Sequence, residues 1–194
     1  MNDLDKVILT DCDGVLLNWE YAFHCWMDAH GFKRQIGATL EYDICVQYGI
    51  EKAVGKNCVR TFNESAAIGF LPPLRDAIKY VRKLHEEHGY VFHVITSLSN
   101  DPHAYKLRMM NLEKLFGQGV FEKLVCLDCG ADIDEERAKY EGTEYLWIED
   151  KPENGETGAK FGLEPLLIKH GHNMDYDKYP NFPTWKDLYE FIAG

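Results

Sequence analysis

No apolar run in the sequence approaches the about 20 residues that cross a bilayer, which excludes a membrane-spanning protein. The opening residues Met1-Asn2-Asp3-Leu4-Asp5-Lys6 lack the basic-then-apolar order of a signal peptide, so a cytoplasmic protein with no membrane partner is expected. Basic residues are scarce, 21 Lys and Arg against 32 Asp and Glu, for a formal net charge of −11. That balance excludes non-specific binding to a nucleic acid polymer, which is driven by neutralising phosphates with cationic side chains. Internal repeats and low-complexity tracts are absent. Cysteine is present, but its zinc patterns are not. Of the six cysteines only Cys126-x-x-Cys129 is closely paired, and no two further Cys or His stand at ligand spacing nearby, so reduced thiols are expected.

What is present is an ordinary globular composition, 45% hydrophobic and 27% charged, in a chain of 194 residues. This length suits one domain with an insertion, or a core with a small lid. Short apolar runs at 7–10, 90–95, 124–127, 145–148 and 166–168 predict strands, and the patterns at 74–88 and 102–116 predict helices between them. The first helix is expected to stop at Gly89; the second opens with Asn100-Asp101-Pro102 and carries Tyr105, Met109, Leu112 and Phe116 on one face. A last helix is expected at 184–193. Strands alternating with helices of this length predict an α/β protein, a Rossmann-like parallel sheet flanked by helices. Residues 18–70 contain no clear strand and place Trp19, Ala22, Phe23 and Trp26 at helical spacing. They are expected to form a small helical cap inserted after the first strand, with 1–17 and 71–194 as the core domain.

The chemistry gathers at strand ends. Val7-Ile8-Leu9-Thr10 runs into Asp11-Cys12-Asp13-Gly14, and ligands of parallel α/β sheets bind beyond the carboxyl ends of the strands. In an extended segment Asp11 and Asp13 point the same way, and Gly14 lets the backbone turn. An EF-hand fails on spacing, because the glycine falls at loop position 4 instead of 6 and position 12 is Ala22. The strand ending in Thr96-Ser97 brings a hydroxyl and backbone N–H groups to the same edge, where they suit either phosphoryl oxygens or a helix cap. The strand 145–148 runs into Glu149-Asp150, a second acidic cluster. Four acids on one edge repel one another unless a cation sits among them, and hard carboxylate oxygens suit Mg²⁺.

This order of residues, Asp11-x-Asp13-Gly14-Val15, then Thr96-Ser97, then Glu149-Asp150, resembles the haloacid dehalogenase superfamily of phosphohydrolases. Residues Ile148-Glu149-Asp150-Lys151-Pro152-Glu153-Asn154, with Leu166-Leu167-Ile168 and His172-Asn173, are most similar to its 5′-nucleotidase and deoxyribonucleotidase branch, including phage and bacterial proteins. The resemblance implies Asp11 as nucleophile, Asp13 as general acid and base, Thr96 as a phosphoryl ligand, and Mg²⁺ held by Asp11, Asp13, Glu149 and Asp150. It further implies a lysine between the second and third motifs. Ile133 stands where that lysine is aligned, so Lys139, ahead of Arg137, is expected to supply the charge. Haloalkanoate dehalogenases are disfavoured by the same resemblance, because they lack the second aspartate and need no metal.

A small phosphorylated metabolite is the expected partner, a nucleoside 5′-monophosphate first and a sugar phosphate as the alternative, in a monomer or homodimer. Gly14, Ser97, Trp19, Phe23 and Trp26 are candidate substrate contacts, and Phe62 and Phe70 are further rings that could stack a base. A helical aromatic stripe serves equally as core. His170-Gly171-His172-Asn173 reads either as a border of the pocket or as a solvated turn. Two other classes stay open: a non-catalytic binder of phosphorylated metabolites, motivated by Ile133, and a receiver-type signalling domain, disfavoured by the long insertion.

Overall fold

The computed structural model describes residues 6–38, 41–128, 131 and 134–194. Within them β1 (Val7–Thr10), β2 (Val91–Ser97), β3 (Phe121–Leu127), β4 (Leu146–Glu149), β5 (Glu164–Ile168) and β6 (Asn181–Phe182) form one sheet in the order β3-β2-β1-β4-β5-β6. All pairings are parallel. The chain builds outward from β1 to β3 on one side and from β4 to β6 on the other. The crevice between the ends of β1 and β4 is therefore the switch point at which such sheets bind ligands.

The strands read as near-continuous apolar runs because helices cover both faces. Period-two geometry divides their side chains: Ile8, Val94, Ile148, Leu166 and Ile168 enter one large hydrophobic cluster, while Leu9, Ile95 and Trp147 join Tyr140 and Leu163 in a smaller one on the other face. β6 is two residues long and carries no periodic signal, which is why the sequence does not announce it.

Helices α1 (Trp19–Ala29), α2 (Ile44–Tyr48) and α3 (Lys52–Asn63) and a 3₁₀ turn at Ala66–Phe70 occupy the insertion. Their Phe23, Met27, Tyr48, Cys58 and Phe62 belong to the same buried cluster as Ile8, Leu16 and Phe92, so insertion and sheet share one core. The remaining helices are α4 (Ala77–His88), α5 (Pro102–Phe116), α6 (Asp134–Ala138), α7 (Pro152–Lys160) and α8 (Trp185–Ala193). α4 begins at Ala77 instead of residue 74, because the N–H of Leu74 donates to the Leu16 carbonyl at 2.9 Å and Arg75 takes a φ of +37°. It ends at the left-handed Gly89, and α5 is capped by Asp101, whose carboxylate accepts the N–H of His103 at 2.9 Å.

The inward face of α5 differs from the expected one. Ala104, Arg108, Asn111, Leu112 and Phe116 are buried, whereas Tyr105 is 40% exposed and Met109 only half-buried. Polar partners inside turn the helix this way: Asn111 donates to the Leu71 carbonyl, and Arg108 meets Asp13. Among the described residues no helix is long and apolar enough to cross a membrane.

Candidate active site

Asp11 follows the last residue of β1, and the adjacent β4 ends on Glu149, with Asp150 next. The N–H of Asp11 donates to the Ile148 carbonyl at 2.9 Å, which locks the two strand ends together. Asp11, Glu149 and Asp150 are all buried and offer one carboxylate oxygen each, all within 4.8 Å of one another. Burial, then the charge of Glu149, pushes the Asp11 carboxyl up to about 8. Burial, then Asp150, raises Glu149 to about 7, and burial, then Asp11, raises Asp150 to about 7.

The three acids are not equivalent. Glu149 is braced by its own loop: Oε2 accepts the N–H groups of Asp150 at 2.7 Å and Lys151 at 2.9 Å, and Oε1 accepts Asn154 Nδ2 at 2.6 Å. Among the described residues, buried Asp150 Oδ1 has no hydrogen-bond partner, nor does the buried hydroxyl of Thr96 at the end of β2. Ser97 is half-buried beside it. Buried polar atoms without partners in a cage of mutually repelling carboxylates fit a small hard cation and an anionic ligand, the donor set that suits Mg²⁺. Residues Asp11, Asp150 and Glu149 would hold it.

Gly14 is a spacing requirement. Its φ is +81°, and its carbonyl accepts a hydrogen bond from His170 Nε2 at 2.6 Å. His172 Nε2 donates to the Asp150 carbonyl at 2.9 Å, joined there by Asn173 Nδ2 at 2.7 Å. The 170–173 segment therefore buttresses both acidic loops, and burial pushes the His170 imidazole down.

Asp13 stands apart from the triad. Its carboxylate is gripped by Arg108 of α5: Nη1 donates to Oδ1 and Nη2 donates to Oδ2 at 3.1 Å, while Nη1 also reaches Cys12 Sγ at 2.9 Å. Sequence reading missed Arg108, although a full charge at i+4 from Ala104 and i−4 from Leu112 on a buried stripe is a signal.

The expected lysine has a partner of its own. Lys139 is exposed and ion-paired with Glu136, and Arg137 is buried against the Trp147 ring at 5.2 Å with Asp134 as its ion-pair partner at 3.0 Å. Ile133 and Cys129 lie outside the described residues. Among the described residues, Lys151 is a cation that feels all three acids. Burial disfavours its ammonium, but the Tyr42 hydroxyl, Asp11 and Asp150 outweigh burial and push its pKa up. Its Nζ lies 5.5 Å from the Tyr42 ring centroid, and that ring is 4.9 Å from His172. The signal was adjacent to the acid pair, one residue beyond Asp150.

The aromatic candidates of the insertion divide. Phe23 is fully buried, stacked on Trp19 at 4.7 Å and flanked by Trp26 and by the edge of Phe62, so it is a core ring with no free face for a base. Phe62 is fully buried as well. Trp19 is half-buried and donates its indole N–H to Asn63 Oδ1 at 2.9 Å, and half-buried Trp26 stacks on His30 at 3.9 Å. Phe70 is 65% exposed.

No protein-family model matches the chain. It is 27% identical over 128 residues to an uncharacterized 32.4 kDa protein in the Gp30-rIII intergenic region of Enterobacteria phage T4, a match that covers 63% of this chain and 45% of the phage protein. The chain thus spans about half the length of that relative. Among solved structures it is similar to a haloacid dehalogenase-like family hydrolase from Streptococcus pneumoniae, with a TM-score of 0.66 and 13% identity over 99% of this chain and 100% of that one. A haloacid dehalogenase family hydrolase from Deinococcus radiodurans with bound phosphate and sodium gives a TM-score of 0.60 at 15% identity, covering 99% and 96% of the two chains. The L-2-haloacid dehalogenase of Xanthobacter autotrophicus gives 0.62 at 12%, covering 98% and 99%. With its parallel six-stranded sheet and its acids at the ends of β1 and β4, the chain has the Rossmann-like fold of the haloacid dehalogenase superfamily hydrolases.

Proposed function

We propose that the protein is a Mg²⁺-dependent phosphohydrolase acting on a small phosphorylated metabolite through an aspartyl-phosphate. The observation that carries this reading is the buried triad of Asp11, Glu149 and Asp150, whose Asp150 Oδ1 has no hydrogen-bond partner among the described residues, with the Lys151 ammonium acting on it. Such a donor set suits a phosphoryl group, whose negative charge a divalent cation held by the carboxylates would offset.

In the first half-reaction a carboxylate oxygen of Asp11 attacks phosphorus, forming a new O–P bond as the ester O–P bond breaks, and Asp13 gives a proton to the leaving oxygen. In the second, Asp13 takes a proton from water, whose oxygen attacks phosphorus and releases Asp11. Thr96 Oγ1 donates to a phosphoryl oxygen, which supplies its missing partner. Lys151 offsets the charge of nucleophile and substrate, the role for which Lys139 was expected. When bound, Mg²⁺ neutralises charge on the phosphoryl group and on the carboxylates.

Residues 18–70 serve as the cap in this reading. Nucleoside 5′-monophosphates are the substrates expected from the sequence; with Phe23 and Phe62 in the core, base stacking falls to Trp19, Trp26 and Phe70, and sugar phosphates gain ground as the second reading. The test is phosphate release from a panel of nucleoside monophosphates and sugar phosphates, with Mg²⁺ or EDTA, against Asp11→Asn. Mg²⁺-dependent release that disappears in Asp11→Asn is expected. Ligand binding without any release would support the non-catalytic metabolite binder instead.

A further inference from the structure

Arg108 is a full charge on the inward stripe of α5, and none of its surface is exposed. A buried guanidinium is unfavourable unless it is paired and hydrogen-bonded. Its side-chain partners come from one dipeptide: both carboxylate oxygens of Asp13, and the thiol of Cys12. Among the described residues its Nε has no hydrogen-bond partner, so the side-chain hydrogen bonds it makes there go to this loop.

The contact has a definite geometry. Two parallel N–H···O bonds from a rigid planar fork fix both the position and the plane of a carboxylate, which a single-point ammonium does not do. The Asp13 side chain keeps 20% of its exposure, so it is clamped from the protein side without being sealed off. Arg108 stands on the helix that follows the Thr96 strand, 95 residues along the chain from Asp13. The pair therefore ties the second strand-end motif to the first. Proton transfer depends on holding the carboxylate at hydrogen-bonding distance and angle to the reacting oxygen, and small misplacements are costly in rate.

We propose that Arg108 is a positioning residue for Asp13, fixing the orientation in which that carboxylate serves the leaving group and the attacking water. The inference rests on the phosphohydrolase reading above. Because the fork occupies one edge of the carboxylate, the remaining lone pairs point in set directions, which suits capture of the water that hydrolyses the aspartyl-phosphate. Arg108 touches no substrate atom in this assignment; it acts through Asp13.

The test is a double-mutant cycle on the Mg²⁺-loaded protein with p-nitrophenyl phosphate and the best member of the metabolite panel as probes. Arg108→Met is expected to lower kcat about 10- to 100-fold with KM changed less than about twofold, and to leave a hydroxylamine-sensitive phosphoprotein that accumulates during turnover. Adding Arg108→Met to Asp13→Asn is expected to cost nothing beyond Asp13→Asn alone. A merely structural arginine would lower the folded fraction equally in both backgrounds, so losses that multiply overturn the inference, as does an unchanged kcat in Arg108→Met. If Arg108→Met does not fold, Arg108→Lys, which keeps the charge and loses the fork, carries the same cycle with the same criteria. Absence of phosphate release by the wild type on every probe overturns the phosphohydrolase reading and this inference with it, whereas release with multiplying losses overturns this inference alone.

Discussion

A Cβ on Gly14 would stand 2.6 Å from Oδ2 of Asp150. The first acidic loop thus approaches the second so closely that no side chain fits between them, and the φ of +81° adds a conformational reason for glycine. Gly14→Ala is expected to lose about 1–2 kcal/mol from the left-handed backbone alone. It is also expected to displace Asp150. The measurement is thermal unfolding with and without Mg²⁺: the variant should show a lower Tm and a smaller rise on adding metal, and a wild-type rise would contradict the close approach.

The triad sets a pH dependence with a definite sign. Asp11, Glu149 and Asp150 titrate at about 8, 7 and 7 in the folded protein. Unfolded carboxyls titrate near about 4. Between those values the folded state holds protons that the unfolded state has released, so in EDTA stability falls as pH rises from about 4 to about 8. Mg²⁺ binds the ionised carboxylates, and its stabilisation should grow over the same window. Urea unfolding at a series of pH values, with EDTA or Mg²⁺, checks both slopes; a metal effect that is constant across the window would count against the triad as the ligand set.

Lys151→Met is expected to lower kcat/KM by about 10²- to 10³-fold, the size seen when a charge-stabilising donor is removed from a preorganised site. Lys139→Met, on an exposed ion pair, is expected to stay within about twofold, since such pairs contribute little. Steady-state phosphate release from both variants distinguishes the two lysines. A larger effect at Lys139 would return that residue to the site.

Phe23→Ala removes a fully buried ring packed among Trp19, Trp26 and Phe62. It is expected to cost about 3–5 kcal/mol of stability. Ratios of kcat/KM between nucleotide and sugar phosphate substrates should not change in the fraction that remains folded. Chemical denaturation and the two-substrate ratio, measured together, separate a core ring from a base-stacking one.

Much of this site is legible in the sequence because strand ends are local features. An apolar run of a few residues followed by Asp11-x-Asp13 or Glu149-Asp150 marks a carboxyl end, and in a parallel sheet all carboxyl ends fall on one edge. The caps were equally local: Asp101 before Pro102, and Gly89 after a periodic helix, act on their own backbone neighbours. β6 gave no such signal, since two residues have no period and pair only because Leu167 and Ile168 already lie beside them.

The sequence by itself determined the order of β1 to β5 and the edge on which Asp11, Glu149 and Asp150 meet, since each follows from short-range pattern and parallel geometry. Tertiary structure alone decided which basic residues lie beside those acids. Arg108 meets Asp13 across 95 residues, and Lys151 faces Asp11 while Lys139 turns to solvent, because the pairing of a charge depends on which partners packing brings within reach and how much water remains. The same holds for Trp19, Phe23 and Trp26: helical spacing puts them on one face, but only the packing of Phe62 against that face turned Phe23 into core.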